Sequence, residues 1–226
     1  MRAAGLIVLA VARVAAASPG LDHVIDVPTA WLPGESTATA TSSLDHHGRG
    51  FVSGTAGLGA LAEVELGVAS DPDVARAHAT FRIGAAEDAW FVGMPAFVFG
   101  VRTTIGETAR VAEAHVVASR RLGPVALHAG VMASDAGNGT RVRPLAAFEL
   151  TPPQYRKTTL LVELAWRTRF DANGPALSYA LGWGVRYQAL RWGSIELDVR
   201  QREGDLGSPT VMVRLNAVLG YAASSR

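Results

Sequence analysis

Residues 176–190, ALSYALGWGVRYQAL, alternate as far as Ala189. Leu177, Tyr179, Leu181, Trp183, Val185, Tyr187 and Ala189 fall on one parity, and Ser178, Ala180, Gly182, Gly184, Arg186 and Gln188 on the other. A period of two is that of an extended strand with two different faces. The pattern recurs. Residues 158–170 set Leu160, Val162, Leu164, Trp166 and Phe170 against Glu163, Arg167 and Arg169. Residues 191–202 set Ile195, Leu197 and Val199 against Ser194, Glu196, Asp198, Arg200 and Arg202. Residues 210–221 set Val211, Val213, Leu215, Ala217, Leu219 and Tyr221 against Arg214 and Asn216. Phe81 and Ile83 oppose Arg76, His78 and Arg82 in 75–86, and Phe97, Phe99, Val101 and Ile105 oppose Arg102 in 95–105.

Turn-forming stretches separate such segments: DHHGRG (45–50), GLGA (57–60), SDPD (70–73), RLGP (121–124), SDAGNG (134–139), TPPQ (151–154), DANGP (171–175) and EGDLGSP (203–209). They divide the chain into twelve predicted strands: 35–45, 51–57, 61–70, 74–86, 93–105, 109–120, 124–134, 141–150, 158–170, 176–188, 192–202 and 210–221. An even number of strands joined by short hairpins predicts an all-β, antiparallel up-and-down transmembrane barrel with both termini on one side. Turns on the side of the termini carry Trp90, Phe91, Tyr155 and Trp192, with Tyr187 and Tyr221 at adjoining strand ends. Aromatics gathered at one boundary read as an interfacial girdle.

The alternating pattern alone leaves the direction of each face open. A soluble barrel or sandwich turns its aromatic face to a core and solvates the other. A membrane barrel turns the aromatic face to lipid and its polar face to a lumen. Composition favours the second. Of 21 basic residues only Lys157 is a lysine, and the polar parity carries Gly, Ala, Ser and Arg rather than the lysine-rich mixture of a solvated face. On this register Tyr179, Trp183, Tyr187, Trp192 and Tyr221 are lipid-facing or girdle residues. The lumen-lining candidates are Arg76, His78, Arg82, Arg102, Glu163, Arg167, Arg169, Arg186, Glu196, Asp198, Arg200 and Arg214. The full inward set adds Arg121, Arg141, Arg143 and Arg202 and the carboxylates Glu63, Glu65, Glu113 and Glu149. An excess of inward arginine concentrates anions. Alternatively, the same charges are structural ion pairs filling a closed barrel, and both readings stay open here.

Hydrophobic residues make up 49% of the chain, yet beyond residue 17 no apolar run has the length of a membrane-spanning helix. The first 17 residues have the basic start, apolar stretch and Ala-x-Ala ending of an export signal, interrupted by Arg13. The expected organisation is a signal peptide at 1–17, an N-terminal periplasmic segment at 18–34, an outer-membrane barrel at 35–221 and a tail at 222–226. A net charge of +1 argues against nucleic acid as a partner, and the absence of cysteine removes thiolate chemistry and disulfides.

Catalytic signals are sparse. His128 and Ser134 share a strand parity but lie about 20 Å apart along it, beyond the reach of a Ser–His pair. His78 and His115 face inward with no evident acid or nucleophile beside them. Asp45-His46-His47 occupies a turn, where adjacent histidines are solvated, and GLGAL lacks the strand-to-helix context of a phosphate loop. No catalytic residue, cofactor or metal is expected, and the chain is not read as an enzyme.

Two stretches carry a family resemblance. VPTAWLPGESTATATSS (27–43) followed by GLGALAEVELGV (57–68) contains Pro28, Thr29, Ala30, Gly34, Gly57, Leu58, Glu65 and Gly67, and MPAFVFGVR (94–102) precedes HVVASRRLGPVALHAGV (115–131). Together they resemble bacterial outer-membrane β-barrel proteins of the exopolysaccharide-associated, YjbH-like type. The resemblance covers about half the chain and implies a barrel connected with polysaccharide passage, with no catalytic residues to carry over. The chain departs from the usual outer-membrane pattern by continuing past Tyr221 with AASSR rather than ending on an aromatic.

The resulting expectation is a passive pore or structural protein of the bacterial outer membrane, monomeric or weakly oligomeric. Its expected partners are outer-membrane lipid, the barrel-assembly machinery and an anionic solute or polysaccharide. The alternative is a soluble periplasmic β-barrel or sandwich that binds a ligand on its apolar face.

Overall fold

The computed structural model describes residues 23–34, 37–71, 74–106, 110–135, 137, 139–171, 174–202 and 208–219, with the backbone alone at 71, 74, 166–171, 174–178, 202 and 219. Twelve strands follow one another: β1 (Ala38–Asp45), β2 (Gly50–Gly57), β3 (Ala62–Asp71), β4 (Val74–Ala85), β5 (Ala96–Gly106), β6 (Arg110–Leu122), β7 (Val125–Asp135), β8 (Thr140–Leu150), β9 (Thr158–Asp171), β10 (Gly174–Leu190), β11 (Gly193–Arg202) and β12 (Thr210–Leu219). Each pairs antiparallel with its sequence neighbours, and β1 pairs with β12, so the sheet closes into a barrel. Each predicted segment has its strand, displaced at the ends by a few residues. Closure pairs the first strand with the last, so neither is a free edge, while the β8–β9 ladder covers Ala146–Leu150 against Leu160–Leu164.

The period of two now acquires a direction. On β11, Ser194, Glu196, Asp198 and Arg200 are buried inside the barrel while Ile195 and Leu197 are exposed outside it. β12 buries Thr210, Met212, Arg214 and Asn216 and exposes Val211, Val213 and Leu215. β10 buries Arg186 and exposes Leu181, Trp183, Val185 and Tyr187. The apolar face therefore points away from the interior on these strands. A soluble fold with its aromatics in a core, the alternative drawn from the sequence, is the reverse of this arrangement.

The inward glycines of β10 have a spatial reason. A Cβ at Gly184 would collide with the Asp198 carboxylate on β11, and one at Gly182 would press on Glu163 and on Ile25. Small residues on β10 thus make room for charged groups of its neighbours and for a segment from the start of the chain.

Turns β2–β3, β4–β5, β6–β7, β8–β9 and β10–β11 lie at the end of the barrel where β1 begins. Trp90, Phe91, Tyr155 and Trp192 are exposed at this end. In the β4–β5 loop, the Arg120 guanidinium donates to Asp88 at 2.8 Å and holds that carboxyl below the usual carboxylate range. Residues 1–17, Tyr221 and the tail 222–226 lie outside the described residues.

The outward face sets a test. Leu181 is 40% exposed on it. Leu181→Arg is expected to cost roughly 2–4 kcal/mol if that face meets a bilayer midplane, read as a lowered urea midpoint for the folded barrel in lipid vesicles. A neutral result would mean that this face does not meet lipid.

Candidate functional site: the barrel interior

Residues 23–34 do not stay outside the barrel, as an N-terminal periplasmic segment would. They run through its interior, with Val24, Ile25 and Val27 at most 1% exposed. The segment forms a tight reversal in which the Val24 N–H donates to the Val27 carbonyl at 2.9 Å and His23 bridges Pro28. Such a reversal leaves successive N–H groups at its tip without partners of their own. Glu163 of β9 meets them: its Oε2 accepts from Ile25 at 3.0 Å, Asp26 at 2.7 Å and Val27 at 2.9 Å. A carboxylate under a cluster of N–H groups is a strong, charge-assisted arrangement.

Other wall residues take the remaining polar groups. Arg186 of β10 donates to the carbonyls of His23 (3.2 Å) and Val24 (2.9 Å), while its other nitrogens reach Glu196 at 2.6 Å and Glu149 at 3.4 Å. Asp26 pairs with Arg200 at 2.5 Å and with Arg214 at 3.6 Å. Arg214 also lies 3.5 Å from Glu196, which accepts from Asn216 at 2.5 Å. Arg82, ion-paired with Glu63, donates to the Thr29 carbonyl at 3.1 Å. The Ala30 N–H donates to Ser119 Oγ at 2.7 Å. Trp31 lies edge-on to His128 at 4.8 Å and under the Arg121 guanidinium at 4.6 Å.

Packing accompanies the polar contacts. Val24, Ile25 and Val27 cluster with Val117, Leu145, Ala147, Leu161, Ala165 and Met212, all of the wall. Full burial of one Val or Ile side chain contributes about 1.5–3 kcal/mol. These wall residues form an apolar patch among the polar and charged side chains of the interior, and the segment covers it.

The sequence-derived candidates divide into groups. Glu163, Arg186, Glu196, Asp198, Arg200 and Arg214 come together around the reversal, with Arg82 a little further along the segment. Arg76, His78 and Arg102 lie on the half of the wall away from it, where Glu65 faces His78 at 3.3 Å and Arg102 at 3.5 Å. Arg167 and Arg169 lie outside the residues whose side chains are described. Of the outward candidates, Trp183, Tyr187 and Trp192 are exposed, and Tyr179 is half-buried.

Two features escaped the sequence reading. One is the segment itself. Its VIDV stretch, three apolar residues around one acid, had no strand to join and signalled burial elsewhere. The other is Ser119, which the β6–β7 register sets opposite His128, with Oγ 2.8 Å from Nδ1. Both side chains are buried, and the Ser119 hydroxyl also accepts the Ala30 N–H, so the pair positions the segment. Asp45, His46 and His47 organise the β1–β2 turn: Asp45 accepts from the N–H groups of His47 (2.9 Å) and Arg49 (3.0 Å), and Val211 N–H donates to His46 Nδ1 at 3.0 Å.

No protein-family model matches the chain, and no curated protein matches it. Solved structures do. A KdgM porin structure aligns with TM-score 0.61 at 7% identity, covering 82% of this chain and 99% of that one. A KdgM porin in complex with disordered oligogalacturonate gives 0.61 at 6% identity, with coverage of 82% and 99%. The NanC porin gives 0.55 at 10%, with coverage of 81% and 99%. The fold is shared with porins. These matches support a porin-like barrel and lend the YjbH-like, exopolysaccharide-associated resemblance no support.

Arg186 joins wall and segment, so its loss is diagnostic. Arg186→Met removes the Arg186 donors to Glu149 and Glu196 and frees two carbonyls of the segment. It is expected to destabilise the folded barrel by about 3–5 kcal/mol, as removal of one partner from a buried ion pair does. Equilibrium unfolding in detergent micelles measures this, and a loss below 1 kcal/mol would mean that the network is hydrated.

Proposed function

We propose that this chain is a bacterial outer-membrane barrel that passes anionic solutes, acidic saccharides among them, by passive diffusion and without catalysis. The carrying observation is the reversal of faces: charged side chains inside a closed barrel, apolar ones outside it. Leu, Val, Phe and Trp exposed on strand after strand suit lipid and would be a liability in water. Every strand is hydrogen-bonded to both of its neighbours, the arrangement that lets a sheet meet lipid.

Selectivity for anions is supported by the half of the interior away from the segment. Among the described residues, Arg76 and Arg102 are partly exposed there, Arg102 lying 3.5 Å from Glu65, and Arg49 pairs with Asp45 at the β1–β2 turn. Cationic side chains in a confined aqueous passage raise the local concentration of anions. The similarity in fold to porins, one of them solved with an oligogalacturonate, agrees with a channel for acidic sugars.

Two measurements test this. The protein is expected to stay with the membrane pellet under aqueous extraction, and release by buffer alone would overturn the membrane assignment. Reconstituted in planar bilayers under a salt gradient, it is expected to show an anion-selective reversal potential that Arg76→Ala with Arg102→Ala reduces. Cation selectivity would overturn the anionic reading.

A further inference from the structure

We propose that residues 23–34 are a displaceable plug, and that the wall around Glu163 is a receptor site for an acidic chain reversal that closes the barrel from the side of its termini. The proposal rests on the reading of the barrel as a pore and adds to it a closed state and the residues that hold it.

Three observations converge. First, the segment is recognised and not merely enclosed. Glu163 takes three successive N–H groups, Arg186 two carbonyls, Arg200 and Arg214 the Asp26 carboxylate, and Ser119 the Ala30 N–H. Second, the wall carries an apolar patch that has no use in a hydrated passage. Leu145, Leu161, Val117 and Met212 face inward and pack against Val24, Ile25 and Val27. Third, the barrel does not need the segment for its own closure. Every strand has both neighbours, β1 and β12 pairing directly, and the reversal bridges only itself through His23 and Pro28. The segment can therefore leave without opening a single strand pair; the charged groups it releases, Glu163, Arg186, Arg200 and Arg214, can be taken up by water, and the apolar patch it uncovers favours its return.

The chain has no cysteine, so one introduced thiol reports on the segment alone. Ile25→Cys in proteoliposomes is exposed to a membrane-impermeant thiol reagent, alone and combined with Asp26→Asn or Glu163→Gln. Single-channel records are taken from the same proteins. Labelling is expected to be slow in the otherwise native chain and about tenfold faster with either substitution, the weight of a lost charge-assisted hydrogen bond, with open time rising in step. Asp26 lies on the segment, so Asp26→Asn leaves every wall side chain in place, and equilibrium unfolding of the same variants separates loosening of the segment from loss of the folded barrel. Labelling at the rate of a free thiol in the native background, or unchanged by both substitutions, overturns the plug. Faster labelling with no current in any protein upholds the plug and removes the pore. Steady current in every protein with unchanged labelling upholds the pore and removes the plug.

Discussion

Closure of the β1–β12 seam is the constraint from which the rest of the structure follows. An antiparallel sheet that closes has an inside and an outside, and the period of two assigns every strand residue to one of them. Charged groups sent inward must then find each other, water or a filling segment. Apolar groups sent outward must find a medium other than water. Arg186 and Trp183, three residues apart on β10, show the division: one reaches Glu196 and the segment, the other is exposed on the exterior.

The interior is two environments. Around the reversal, charges are balanced by contacts in which wall and segment alternate: Glu149 and Glu196 hold Arg186, Arg186 holds the segment's carbonyls, and Asp26 holds Arg200. A buried ion pair gains little over an apolar replacement, but the removal of one partner is costly. Such a network therefore specifies position more than it adds stability. Away from it, Arg76 and Arg102 are partly exposed, with Glu65 between Arg102 and His78. Of the two sequence readings of the inward arginines, structural ion pairs describe the part of the wall around the reversal.

Strand number, register and the sorting of faces were legible because they rest on local alternation, which survives in any single segment. Glu163 and Arg186 were legible as inward charges for the same reason. Their common task was not, since the partners of Glu163 are the backbone N–H groups of residues 25–27, more than a hundred positions away. Backbone donors leave no trace in residue type. Ser119 was passed over because strand pairing, not spacing along one strand, brings it to His128. Leu161 and Met212 sit on the polar parity of their strands and break the alternation. In the structure they mark the surface that the segment covers.

The short join between Gly34 and β1 has a kinetic meaning. Only residues 35–37 separate the segment from Ala38, a reach of about 10–14 Å when fully extended. A segment on so short a leash, once out, stays at an effective concentration of about millimolar or above at the barrel mouth. Its return is a first-order event, indifferent to how many copies of the protein the membrane holds. Each barrel thus carries its own resting state, set by a few contacts and a leash and needing no second molecule to restore it.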